Sequence, residues 1–235
     1  MDSKLKVNMF VAVCKLEELR NIRLNDIAEE LLTMPESMRK LDRFTLTKIV
    51  PKVKGQLHRK CGLKDNMGSV SLSVKYVYKG QTSNYNLLLF KSSVRIAGGV
   101  HSELQEEIHE AVSEKPIEEF CGLLMFALYH WSAQIIKING EAKIVNMNAI
   151  NRGAPIPQFA TLCEQKLYQN PKYHTVYVPH FFERGPIATC HVYPLQGQKC
   201  SAKIQYTGVV QYMGFKEIDM LHVFSEMLNK DINSK

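Results

Sequence analysis

No stretch of this 235-residue chain is long and apolar enough to span a bilayer. The longest candidate, FCGLLMFALYHW at 120–131, falls well short of the ~20 residues a spanning helix needs and reads as a core helix. Paired cysteine motifs are missing too. Cys14, Cys61, Cys121, Cys163, Cys190 and Cys200 include no C-x-x-C, and no signal-type segment precedes them. Reduced, structural thiols in an intracellular protein are therefore expected. No P-loop, G-x-S-x-G or H-E-x-x-H occurs, and His58-x-x-Cys61 and Cys190–His191 are too isolated to suggest a metal site. The expectation is a non-enzyme with no metal or cofactor. Acidic residues are absent from one long stretch: none lies between Phe44 and Lys64, which also carries Lys48, Lys52, Lys54, Arg59 and Lys60.

What is present points to a polyanionic partner. The net charge is +7 and the sequence pI about 9.0, on an ordinary apolar content of 45%. The length suits one large domain or two of about 100–150 residues. Internal similarity favours two. VNMFVAV at 7–13 resembles VNMNAIN at 145–151, and LLLFKSSVRIAGGV at 87–100 aligns without a gap on AKIQYTGVVQYMGF at 202–215. A duplicated unit presents two related surfaces to a ligand that itself repeats, as DNA does.

Periodicity places helices at 16–32, 101–113, 117–134, 155–169 and 216–228. Strand alternation at 69–78 puts Val70, Leu72, Val74 and Tyr76 on one face, residues 80–84 read as a turn, and hairpins are expected at 87–97 and 204–213. Residues 36–66 fit neither pattern and read as a basic insertion.

Taken in order, these motifs resemble the TATA-box-binding protein (TBP) family. K-V-N-M-F from Lys6 and I-V-N-M-N from Ile144 match its Asn-bearing strands, while 88–101 and 203–216 sit in the register of its L-I-F-x-S-G-K-x-V-x-T-G-A-K motif. Asn170, Pro171, Lys172 and Tyr173 match an N-P-K plus aromatic element. The resemblance implies an α+β saddle of two pseudo-symmetric repeats, a curved antiparallel sheet with helices on its convex side. The first repeat would be 1–138, with the basic insertion at 36–66 and an extra helix at 117–134; the second would be 139–235. It also implies a transcription initiation factor, a monomer that binds A·T-rich promoter duplex through the minor groove and partners general transcription factors and RNA polymerase. Its location would be the nucleus, or a cytoplasmic transcription site if viral. The alternative is a protein-interaction scaffold that keeps the fold with weak or no DNA binding.

Site residues follow from the same resemblance. Asn8 and Asn146 match the paired Asn residues that reach base edges. Phe90 and Tyr173 match wedges that open base steps, Gln205 stands where a third wedge would be, and Ser92, Thr207 and Lys216 match phosphate contacts. Strand alternation enlarges the surface. Phe10 shares a face with Asn8, and Leu88, Phe90 and Ile96 form an apolar outer face in the first half. Lys203, Gln205, Gln211 and Met213, with Asn148, form a wetter one in the second. Val94, Val209 and His101 occupy places where the family has Lys, and Glu103, Glu106, Glu107, Glu110 and Glu114 make the following helix acidic.

Overall fold

A computed structural model describes residues 5–16, 24–53, 67–132, 142–182, 185–194 and 200–233. Lys54, His58, Arg59, Lys60, Cys61 and Lys64, the start of the first expected helix at 17–23, and the turns expected at 139–140 and Gly197 lie outside the described residues. The chain forms two compact units, Phe10–Val145 and Asn146–Lys235 with Met1–Met9.

The first unit contains most of β1 (Lys6–Lys15), then α1 (Leu24–Thr33), a 3-10 turn (Glu36–Arg39), β2 (Lys40–Leu41), β3 (Phe44–Val53), β4 (Met67–Tyr78), β5 (Gln81–Leu89), β6 (Ser93–Gly99), α2 (Ser102–Ala111) and α3 (Lys115–Trp131). Its strands run side by side as β2-β3-β4-β5-β6-β1. The second contains β7 (Lys143–Arg152), a short α4 (Phe159–Thr161) that opens into a π turn (Leu162–Leu167), β8 (Tyr173–Phe182), β9 (Gly185–Pro194), β10 (Ser201–Gln205), β11 (Val209–Phe215) and α5 (Ile218–Asn233). Its strand order is β7-β11-β10-β9-β8. The fold is α+β with antiparallel pairing.

Part of the expected insertion is regular structure. Residues 44–53 form β3, which pairs with β4 from Phe44↔Tyr76 to Val53↔Met67. The β-branched residues of TLTKIV suit a strand, and a register shift between Leu46 and Lys48 breaks the alternation that would have revealed it. The turn expected at 80–84 is also displaced. Lys79 (φ 45°) and Gly80 (φ 79°) alone connect Tyr78 to Gln81, and two consecutive positive φ angles make the tight connection whose twist suits a hairpin. Residues 81–84 belong to β5.

The two later hairpins differ in turn length, and this changes which face each residue takes. Phe90 N–H donates to Ser93 O at 2.8 Å across the two-residue turn Lys91–Ser92, so Leu89 pairs with Val94, Leu88 with Arg95 and Leu87 with Ile96. In the second unit Tyr206, Thr207 and Gly208 form a three-residue turn, Gly208 N–H donating to Gln205 O at 2.9 Å, and Ile204 pairs with Val210. Gly208 sits at φ 83°, and a Cβ there would collide with the Ala154 carbonyl. Residues paired across an antiparallel ladder share a face. The gapless alignment therefore holds only up to the turn. Beyond it, buried Val94 corresponds to buried Val210 and Ile96 to Tyr212, one residue out of step.

One face of each unit's strands is buried under helices. In the first unit Val70, Leu72, Val74, Leu87, Leu89, Val94 and Ile96 are fully buried, and Phe120 of α3 packs among Phe44, Tyr76, Tyr85 and His101. Tyr85 Oη lies 3.1 Å from His101 Nδ1 within this cluster. In the second unit Ala202, Ile204, Val210, Tyr212 and Phe215 are covered by α5, whose buried stripe is Ile218, Leu221, Phe224, Ser225 and Leu228. Ser225 Oγ bonds the Tyr212 hydroxyl at 3.1 Å.

Candidate nucleic-acid interface

The described strand face opposite the helices mixes cations, amides and hydroxyls with apolar residues in both units and carries no carboxylate. In the first, the ladder registers place Lys48, Ser73, Asn86 and Ala97 in one row across β3, β4, β5 and β6. Thr45, Lys75 and Asn84 form a second row, and Val50, Ser71, Leu88 and Arg95 a third. Lys48, Asn84, Asn86 and Arg95 are exposed; Lys75 and Leu88 are half-buried. Ser73 Oγ donates to Asn86 Oδ1 at 3.3 Å, pre-aligning the amide. In the second unit, Val176, His191, Lys203, Gln211 and Ile150 make one row across β8, β9, β10, β11 and β7. Arg152 pairs with Val209 at the next position.

Charge is segregated between the secondary structures. No Asp or Glu occurs in the eleven strands formed by the described residues, whereas Lys6, Lys15, Lys40, Lys48, Lys52, Lys75, Arg95, Lys143, Arg152 and Lys203 all lie on them. The five described α-helices hold Asp26, Glu29, Glu30, Glu103, Glu106, Glu107, Glu110, Glu118, Glu119, Asp219, Glu226 and Asp231 against Lys115 and Lys230, and the 3-10 and π turns add Glu36 and Glu164 against Arg39 and Lys166. A strand face with cations, amides and hydroxyls and no carboxylates is chemically fitted to phosphate oxygens and base edges. Among the described residues no cluster of His, Cys, Asp or Glu is arranged to hold a metal ion, and no helix is long and apolar enough to cross a membrane.

Three expected interface residues lie on the wrong side. Phe10 is fully buried and its ring centroid is 6.1 Å from that of Tyr85. The reason lies in β1, where burial alternation changes phase between Val7 and Phe10, so Asn8 is exposed while Phe10, Ala12 and Cys14 are buried. Ile96 is fully buried opposite Leu87, because the two-residue turn swaps odd and even positions and brings Arg95 outward instead. Tyr173 is 4% exposed: its hydroxyl donates to Asp231 Oδ2 at 2.7 Å and its ring packs edge-on to Phe224. Burial first, and then this carboxylate, push the phenol pKa up. Asn170 Nδ2 (3.1 Å) and Lys172 Nζ (3.6 Å) reach the same carboxylate, so the N-P-K element ties β8 to α5. The first unit's outer face is accordingly not the apolar surface that Phe10 and Ile96 would have made.

The other expected residues lie at or near the outer face. Leu88 and Phe90 are half-buried and Asn8 is exposed. Ser92 is exposed in the turn, its carbonyl accepting from Leu16 N–H at 2.8 Å. Asn146 and Asn148 are half-buried on β7; Asn148 Oδ1 accepts from Gly214 N–H at 3.4 Å, while Asn146 Oδ1 has no hydrogen-bond donor among the described residues. Gln205 and Gln211 are half-buried, Thr207 and Lys216 exposed, and Thr207 Oγ1 lies 3.4 Å from Gln205 Oε1. Burial also re-pairs the Asn-bearing strands. The patterns of β1 and β7 coincide when Phe10 is set against Met147 and Ala12 against Ala149, which sets Met9, not Asn8, against Asn146. Lys48 was already singled out as part of the basic stretch, whereas Lys75, Asn86 and Arg95 were not expected at this face; turn length combined with charge sign along each strand was the available signal.

No protein-family profile and no curated protein matches the chain. Among solved structures it is similar to the Methanococcus jannaschii TBP, at 18% identity with a TM-score of 0.50, over 97% of this chain and 98% of that one. The likeness defines a TBP-like α+β fold spanning nearly the whole of both chains.

Proposed function

We propose that this chain is a TBP-like transcription initiation factor that binds duplex DNA through the outer strand faces of two related repeats. The observation that carries this reading is the absence of carboxylates from every described strand, set beside helices that hold nearly all the acids of the described regular structure. A basic net charge alone would be spread over the surface; here the cations accompany amides and hydroxyls on one kind of surface. Lys48, Lys75, Arg95, Arg152, Lys203 and Lys216 meet phosphates, with Ser92 and Thr207 at the hairpin tips. Asn8, Asn146, Asn148 and Gln211 offer hydrogen bonds to the minor-groove floor, where A·T and G·C pairs differ mainly by the guanine amino group. Leu88 and Phe90 supply the apolar contact, and Phe90 is the remaining candidate for a wedge. General transcription factors and a polymerase are the partners this reading implies.

Fluorescence anisotropy with A·T-rich and G·C-rich duplexes at several salt concentrations tests the reading. Binding should be salt-sensitive and favour the A·T-rich duplex. Undetectable binding at low salt, where the electrostatic contribution is greatest, overturns it. A second reading, a scaffold of the same fold with little affinity for DNA, is favoured by one observation: Phe10, Ile96 and Tyr173 are buried, so three of the groups expected to press on DNA do not reach the outer face.

A further inference from the structure

The side of the first unit away from the strand face carries an apolar stripe that no described residue covers. On α3, Leu123 is 56% exposed, Phe126 62% and Tyr129 48%. Their spacing puts them on one side of the helix, while Phe120, Leu124, Leu128 and Trp131 face the core. Large aromatic and aliphatic side chains aligned on one helix face, rather than scattered singly, mark a contact surface.

The stripe runs into an acidic recess. Glu107, Glu110 and Ala111 of α2, with Lys115, Pro116 and Glu119 of α3, line a hollow of about 490 Å³. Partial burial, and repulsion from Glu103, Glu119 and Glu110, push the Glu107 carboxyl pKa up. A cation entering the hollow would relieve that repulsion. At the turn between the helices Val112 holds φ 46°, an unfavourable conformation for a β-branched residue, and stands 52% exposed.

We propose that α2 and α3 form a docking surface for a basic amphipathic helix of a protein partner. Its apolar face would lie along Leu123, Phe126 and Tyr129, and its lysines or arginines would reach Glu107, Glu110 and Glu119. The acids decide against a nucleic acid or an anionic membrane at this surface. They also decide against a symmetric pair of copies, which would set acidic recess against acidic recess. A helix laid along an apolar stripe uses anchors at i, i+3 and i+6 or i+7 spacing, which this stripe supplies. The inference does not depend on DNA binding, because neither helix contributes to the strand face.

The test uses the whole protein and a fluorescein-labelled helical peptide with leucines along one face and lysines along the other. Micromolar binding is expected, weakened about tenfold or more by Phe126→Ala. It should be weakened again by Glu107→Gln with Glu110→Gln, while affinity for duplex DNA stays unchanged. Both substituted regions are exposed, and circular dichroism establishes that the variants remain folded. Absence of binding overturns the proposal, as does equal binding to the Phe126→Ala protein. Equal binding of an all-lysine peptide without the apolar face also overturns it, since charge alone would then suffice. Self-association in sedimentation that Phe126→Ala abolishes would assign the stripe to a second copy and equally overturn it.

Discussion

Replacing Lys48, Lys75 and Arg95 together by Gln removes three outer-face cations, one each from β3, β4 and β6 of the first unit. Lys48 and Arg95 are exposed, Lys75 is half-buried, and the described residues give none of them an ion-pair partner, so folding should be little affected. Three inter-strand spacings separate β3 from β6, about 14 Å at the usual distance between neighbouring strands. A duplex carries one phosphate charge per ~1.7 Å of axis, so each cation can meet a phosphate of its own. Each neutralised phosphate contributes about 0.9 to the slope of log affinity against log salt, and the triple variant should therefore lose about 2.7 from that slope. Between 50 and 200 mM salt the parent protein would then lose roughly 40-fold more affinity than the variant. Anisotropy titrations at four or five salt concentrations measure both slopes. Glu106→Gln with Glu110→Gln on α2 is the control and should leave the slope unchanged. An unchanged slope in the triple variant, with folding intact, would refute the assignment of this face to DNA.

Phe10→Ala should destabilise the protein by about 3–5 kcal/mol in chemical denaturation, since the side chain is fully buried against Tyr85. Phe90→Ala should cost much less stability and lower DNA affinity instead. Tyr173→Phe removes a hydroxyl bonded to the Asp231 carboxylate and should cost about 1–2 kcal/mol of stability, with DNA affinity unchanged because Tyr173 faces α5. Burial holds the His101 pKa below its ordinary value of 6.5 despite nearby Glu103, so the neutral ring belongs to the folded state. Its contribution should be intact above about pH 6.5 and fade as pH falls below that, because the unfolded chain then binds a proton the folded one resists. His101→Asn or His101→Gln should flatten that part of the stability profile in thermal melts taken from pH 7.5 to 5.

The element types were legible where one signal dominated. The stripe Ile218, Leu221, Phe224 and Leu228 announces α5, and Val70, Leu72, Val74 and Tyr76 announce β4, because one-sided burial imposes a clear period. β3 was hidden by its register shift, and β5 began earlier than expected because Gln81, Thr82, Ser83 and Asn84 resemble turn residues yet serve as the wet edge of a strand. The second hairpin's faces were readable because its three-residue turn keeps odd opposite odd. The first hairpin's were not, since one residue fewer in the turn exchanges Ile96 for Arg95. A repeated sequence pattern cannot report such a change when the turns themselves differ. Val-Asn in both strands misled for a related reason: the burial patterns of β1 and β7 match with the dipeptides one residue out of step, so Met9 rather than Asn8 falls against Asn146.

These exchanges alter the energetics expected at the candidate interface. With Phe10 and Ile96 outward, the first unit would present a broad apolar surface whose affinity came from dehydration and from prising base steps apart. With Arg95, Lys48, Lys75, Asn84 and Asn86 outward, many of the contacts available are charged or hydrogen-bonding, and Phe90 is the aromatic side chain at the hairpin turn, with Leu88 beside it. Phosphate contacts act over many sequences alike, whereas deformation of particular base steps supplies selectivity without base contacts. A face with many cations and one wedge should therefore bind duplex with a steep salt dependence and a shallow sequence preference. Any sharper choice of site would have to come from contacts outside this face.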